Sequence, residues 1–248
     1  MTSNSETGHA KNVANFDQLI SFVAGYGATY NPSKAGIKLT ALQTIATNAK
    51  TAIGAVNATI PAYSNAVSAR EVAFKPISKL ATRVGNAIKA TDTTDQVDES
   101  AKTIIRKLQG TSATPKKTEE EIAAAKAEGK EIIEISSSQM SYDNRLDNLD
   151  KLIKLLASVA LYTPNEAELK VTALTALYND LKAKNAAVVA AITPLSNARI
   201  SRNDILYKPN TGLVDIALDT KTYIKSLFGA TSSQYKQVSK LEFKAVKK

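Results

Sequence analysis

The 248-residue sequence has no cysteine, no tryptophan, a single histidine (His9) and aromatics at only 6% of its positions. Without cysteine there is no disulfide framework, zinc finger, iron–sulfur ligand set or thiol nucleophile. With one histidine there is no multi-histidine metal centre and no paired Glu-x-x-His motif of a di-iron bundle. No run of about 18 or more apolar residues occurs, so no ordinary transmembrane helix is expected. The polar start, MTSNSETGHAKNV, lacks the basic-then-apolar pattern of a secretory signal, and the expected compartment is the cytoplasm. What is present is the composition of a folded chain, 44% hydrophobic and 22% charged. At this length roughly 75% of the unfolded surface can be buried, so a core needs no metal or disulfide.

Lys and Arg number 32 against 23 Asp and Glu, a net charge of +9. The excess is spread over residues 1–110 and 141–248, while residues 111–140 are slightly acidic. Such a surface attracts nucleic acid, anionic lipid or an acidic partner, or serves solubility alone. No arginine-rich run is present.

The chain repeats itself, and this is its most informative feature. NFDQLI (15–20) returns as NLDKLI (148–153), YNP (30–32) as YTP (162–164), and IKLTAL (37–42) as LKVTAL (169–174). SNAVSAR (64–70) returns as SNARISR (196–202), Phe74-Lys75-Pro76 as Tyr207-Lys208-Pro209, and TTDQ (93–96) as TSSQ (231–234). The order is kept throughout, which chance does not do for six motifs. The expected organisation is a helical unit at 1–110, a charged helical linker at 111–140, and a duplicate helical unit at 141–248.

Each unit reads as about four helices. Alanine is abundant and apolar residues recur at three- and four-residue spacings. First helices are expected at about 10–25 and 142–160, the former ended by Gly25 and Gly27. Long second helices follow, with apolar stripes through Leu42, Ala46, Ala49, Ile53 and Val56 and through Leu174, Leu177, Leu181 and Val188. Asn31-Pro32 and Thr163-Pro164 read as cap plus first-turn proline, with Thr163 and Glu166 as a capping box. Pro61 and Pro194 fall inside the stripes and predict kinks, not ends. Third helices start near Pro76 and Pro209, and fourth helices after caps at Thr93 and Thr231. In the linker, Thr118 caps an acidic first turn, Glu119 to Glu121. The fold class is therefore all-α: two tandem homologous units forming an elongated bundle with long proline-kinked helices.

Few side chains are grouped as chemistry requires. Asp92, Asp95, Asp98 and Glu99 lack the spacing and central glycine of a calcium loop and suit a helix first turn. Gly25-Tyr26-Gly27 lacks the third glycine of a dinucleotide site. His9 has no serine-centred motif beside it. Asp17 and Asp150 occupy equivalent positions and read as salt-bridging groups on the first helices. No catalytic, cofactor or metal residue is assigned, and the chain reads as a non-enzyme. Two groups stand out as contact surfaces. Asn65 and Arg70 recur as Asn197 and Arg202, a repeat-equivalent interface. Lys236, Lys240, Lys244 and Lys248 lie four apart, and on one helix would form a row that contacts anions.

The segments GHAKNVANFDQLI, YGATYNPSKAGIKLTAL, ILYKP, SLFGATS and QYKQVSKLEF make the chain resemble a family of duplicated, all-helical proteins of Bacteroidota. The resemblance implies a bacterial protein and carries with it no activity, cofactor or catalytic residue. Three functions follow from the residues, in order of support. The first is a structural protein that self-assembles into a homo-oligomer, filament or lattice. The second is a basic nucleic-acid-associated protein. The third is a membrane-active, pore-former-like protein using the apolar run Ala186 to Ile192.

Overall fold

The structure, a computed structural model, describes residues 8–111, 120, 127 and 140–245. Among the described residues there are helices and turns and no strand. In chain order the α-helices are α1 (His9–Gly25), α2 (Leu39–Phe74), α3 (Ile77–Lys89), α4 (Asp95–Gln109), α5 (Tyr142–Ser158), α6 (Val171–Tyr207), α7 (Leu213–Phe228) and α8 (Ser233–Ser239). Thr118 and most of the expected linker helix lie outside the described residues; the two described positions there, Glu120 and Ala127, are helical.

Apolar periodicity explains the short helices. In α1 the buried positions are Asn12, Val13, Asn15, Phe16, Leu19 and Val23, one stripe at helical spacing. In α5 they are Leu146, Asn148, Leu149, Leu152, Ile153 and Leu156. Ser141 starts α5 by accepting the Asn144 amide on its hydroxyl at 3.2 Å. After α1 the chain turns through Gly27 at a φ of 56°, a left-handed conformation that glycine adopts without a Cβ penalty. The buried rows of α3 (Ile77, Ala81, Val84, Ile88) and α7 (Leu213, Ala217, Thr220, Ile224) share one spacing.

The helices α2 and α6 run 36 and 37 residues, each through its proline. Pro61 and Pro194 withhold the amides that would bond the carbonyls of Asn57 and Ala190, four residues earlier. Both helices nevertheless continue past them. Neither begins at its upstream proline. The buried Tyr30 donates its hydroxyl to the Ile37 carbonyl at 2.6 Å, and Tyr162 does the same to Leu169 at 2.9 Å. These bonds fold residues 30–37 and 162–169 into loops ending in one 3₁₀ turn each, Ala35–Ile37 and Ala167–Leu169. The helices start two residues later, at Leu39 and Val171. Pro32 and Pro164 therefore precede the helices instead of opening them. The Thr163 amide bonds Leu161, so no capping box forms there. Burial pushes the Tyr30 phenol up to about 12 and raises that of Tyr162.

The other starts differ by small steps. Thr94, not Thr93, precedes α4, because Thr93 turns its hydroxyl to Asp98 at 2.8 Å. Ser232, not Thr231, caps α8, accepting the Tyr235 amide. The helix α7 begins at Leu213, well after Pro209. Between them Asn210 is left-handed, and Gly212 lies so close to Lys208 that an added Cβ would meet its backbone nitrogen at 2.6 Å.

The described residues form two compact units. One combines the residues up to Ser64 with those from Ala191 on; the other is the intervening stretch from Asn65 to Ala190. The first unit's core joins Phe16, Leu19, Leu42 and Ala49 to Leu206, Leu213, Ala217, Ile224 and Val238. The second unit's core joins Phe74, Ile77, Val84, Ile88 and Leu108 to Leu149, Leu152, Leu156, Leu174 and Leu181. These units are not the sequence segments 1–110 and 141–248, because their boundaries fall inside α2 and α6. The reason is the continuity of those helices. With no turn at Pro61, α1 and α3 fall in different units. There α1 packs against α7 from the other half of the chain, whereas α3 packs against its neighbour α4 and the turn Ala167–Leu169, and α4 brings in α5 from the other half.

Replacing Leu19 or Leu152, each fully enclosed in its unit, by Ala should lower unfolding stability by about 2–5 kcal/mol in urea titrations. A loss below about 1 kcal/mol at both positions would contradict this assignment of the cores.

Candidate functional site: two arginine–aromatic clusters

In the second unit, the end of α2 meets the start of α5. The Arg70 guanidinium lies 3.8 Å from the centre of the Tyr142 ring, a close cation–π contact. It also donates to the Asn185 side-chain oxygen at 2.9 Å, and Asn185 donates in turn to Asp143 at 2.8 Å. The Tyr142 ring meets Phe74 edge-on, with centroids 4.9 Å apart. Arg145 reaches back from α5 and donates to the Phe74 carbonyl at 2.9 Å. That bond satisfies one of the carbonyls left open at the end of α2. Burial draws the Arg145 pKa down.

The Nε atoms of Arg70 and Arg145 are buried and have no hydrogen-bond partner among the described residues. Neither arginine, nor Lys75 beside them, pairs with a carboxylate among the described residues. A cleft of about 400 Å³ opens here, lined by Glu71, Val72, Phe74, Lys75, Tyr142 and Arg145.

In the first unit, the end of α6 meets the start of α1 in the same way. Tyr207 occupies the position of Phe74, His9 that of Tyr142, Asn12 that of Arg145 and Arg202 that of Arg70, at separations of 132 or 133 residues. The His9 Nδ1 and the Tyr207 hydroxyl are 2.7 Å apart, with ring centroids at 5.6 Å. Burial lowers the His9 pKa, and the nearby Arg202 charge lowers it further. Burial raises the Tyr207 phenol. Asn12 points to the Tyr207 hydroxyl and, by a stronger pair of bonds, holds residue 244: its amide donates to the Lys244 carbonyl at 2.8 Å and its oxygen accepts the Lys244 amide at 3.2 Å. Asn15 donates to the Glu242 carbonyl at 2.7 Å.

The four interface residues expected from the sequence divide. Arg70 and Arg202 each enter a cluster, whereas Asn65 and Asn197 lie exposed on α2 and α6 outside both. The lysine row does not form. Lys236 is in α8 and Lys240 follows its last residue. Lys244 is in an extended tail, where its ammonium pairs with Glu242 at 2.8 Å. Lys248 lies outside the described residues. The helix stops because the chain after Ser239 is taken elsewhere. Leu241 is buried, Phe243 meets Phe16 edge-on, and Asn12 and Asn15 bind the backbone of residues 242 and 244.

Other expectations find ordinary structural places. Asp98 accepts the Thr93 hydroxyl, and Glu99 pairs with Lys102. Asp17 pairs with Lys50 and Asp150 with Lys154. Among the described residues no group of three or more acidic or histidine side chains could hold a metal ion. No described helix is long and apolar enough to cross a membrane. A larger cleft, about 510 Å³, runs along α3 beside residues 161–169; of its two charged lining residues, Arg83 and Glu166, the arginine is already paired with Glu168 at 2.7 Å.

Sequence reasoning missed Tyr142, Arg145 and Asn185. The recurrence of Phe74-Lys75-Pro76 as Tyr207-Lys208-Pro209 marked one side of each cluster. Their partners lie 68 or more residues away, on a helix that no local pattern joins to them. Comparison with protein-family models, curated proteins and solved structures finds no match.

The single histidine gives a clean pH test. Because the folded state lowers the His9 pKa from its ordinary 6.5, the unfolded chain takes up the proton first as the pH falls. This contribution to stability is full above the unfolded value and is lost as the pH drops below it. The urea midpoint should therefore fall between about pH 7.5 and pH 5.5, and fall less in His9→Gln. An identical fall in both proteins would remove His9 as the cause.

Proposed function

We propose that this chain is a non-enzymatic structural protein that self-assembles, and that it arose by duplication of a helical repeat with kinks at Pro61 and Pro194. One observation carries the assembly reading: each compact unit combines residues from both sequence halves. Segments that complete a unit within one chain can complete it between two chains with the same contacts. Exchange of identical elements is a low-cost route to oligomers. An exchange that closes gives a dimer, and one that does not close gives a filament or lattice.

Several further features favour this reading. Ile192 and Ile200, two α6 side chains of the first unit, are 43% and 58% exposed and offer apolar contact to another copy. The one histidine is engaged with a tyrosine. The duplication is supported by matched burial at Leu19 and Leu152, Leu42 and Leu174, and Val56 and Val188. It is supported also by the shared Tyr30 and Tyr162 bonds. The family resemblance adds a bacterial origin to the proposal.

A basic nucleic-acid-associated role is the second reading. The net charge of +9 favours it, as do Arg70, Lys75 and Arg145, which pair with no carboxylate among the described residues. Such binding would weaken steeply with salt as counterions are released at each phosphate contact.

Light scattering after gel filtration separates the two. Self-assembly predicts a mass of two or more 26.5 kDa chains that persists at about 1 M salt, where exposed charge pairs are screened. A strict monomer at every concentration and salt would overturn it.

A further inference from the structure

We propose that the cleft at the α2–α5 junction binds an organic oxyanion, a carboxylate or phosphate attached to an apolar body, through Arg145, Lys75 and the Tyr142 hydroxyl.

The Arg145 Nε is buried without a partner among the described residues, and one terminal nitrogen is committed to the Phe74 carbonyl. A half-buried cation that has one neutral acceptor and the Phe74 ring at 5.2 Å keeps unmet hydrogen-bonding capacity. An anion at its cleft-facing edge restores a charge-assisted bond. Lys75 lines the same cleft and has no carboxylate partner among the described residues, so it supplies a second positive charge. Tyr142 lines it too, and its hydroxyl makes no hydrogen bond among the described residues. Its ring is fixed between Arg70 on one face and Phe74 at its edge. Arg145 and Tyr142 are therefore held in place before any ligand arrives, which reduces the ordering cost of binding.

The remaining lining defines the ligand. At about 400 Å³ the cleft is far larger than one phosphate or carboxylate group needs. Val72, 72% exposed, gives the surplus space an apolar wall. Glu71 supplies one negative charge at the rim. It opposes anions in proportion to their charge and so disfavours a polyanion such as duplex nucleic acid relative to a singly or doubly charged small molecule. In the first unit Asn12 replaces Arg145 and is occupied by the tail at Lys244, so the site is single, not paired.

The test uses the full chain, with arginine Nε–Hε resonances followed by NMR during titration with benzoate, phenyl phosphate and inorganic phosphate. Sodium chloride at equal ionic strength serves as the control. The expected result is a saturable shift of the Arg145 resonance with benzoate or phenyl phosphate and a weaker response to inorganic phosphate. Which of the first two binds more tightly identifies the head group. Lys75→Ala should weaken binding about three- to tenfold, as loss of one charged contact does, and Glu71→Gln should strengthen it. Both positions are exposed, so neither change should threaten the fold. No saturable shift with any probe, an equal response to chloride, or unchanged binding in Lys75→Ala would overturn the proposal.

Discussion

Everything in this molecule depends on two helices that do not stop. The backbone of α2 passes Pro61 and that of α6 passes Pro194, although each proline removes an intrahelical hydrogen bond. A turn at either proline would let the elements before and after it meet, and each half of the sequence could then close its own core. Without a turn, the elements flanking a long helix must find partners elsewhere. The first unit is accordingly built from α1, the start of α2, the end of α6, α7 and α8, and the second from the elements between. Core composition follows from this constraint. Phe16 and Leu19 share a cluster with Leu213 and Ile224, about two hundred residues away, and not with Ile77 and Ile88.

The arginine–aromatic clusters are consequences of the same arrangement. Each forms where a long helix ends and a first helix from the other half begins, so both sit where open carbonyls need donors. In one, Arg145 supplies the donor to Phe74. In the other the corresponding residue is Asn12, and its shorter side chain serves the C-terminal tail instead. One framework thus yields an open cationic cleft in the second unit and a tied-down tail in the first. The two clusters share the arginine of Arg70 and Arg202 and differ at the other three positions, of which Arg145 against Asn12 decides what the carbonyl end and the tail receive.

The helices were legible because burial in a helix leaves a periodic trace. The stripes of Leu42, Ala46 and Ala49 and of Leu149, Leu152 and Leu156 are visible without any knowledge of partners. Arg70 and Arg202 were legible as candidates because they recur. Three features were not legible, each for a tertiary reason. The start of α2 is set by the Tyr30 hydroxyl on the Ile37 carbonyl, which overrides the local capping signal at Asn31-Pro32. The lysine row fails because Leu241 and Phe243 gain more from burial than a longer α8 would gain from its hydrogen bonds. The composition of the units is invisible because a repeat shows that two segments are alike without showing which of them pair. The apolar faces of α3 and α7 share one spacing, so either could in principle receive either first helix.

Each core draws on both halves of the chain. The decisive measurement inserts a protease recognition sequence between residues 112 and 139 of the full chain, cleaves the folded protein, and reads its mass by light scattering under native conditions. The interlaced arrangement predicts that the two fragments remain together, with the mass of the uncut protein and an unchanged unfolding midpoint. Separation into two independently folded halves would contradict it.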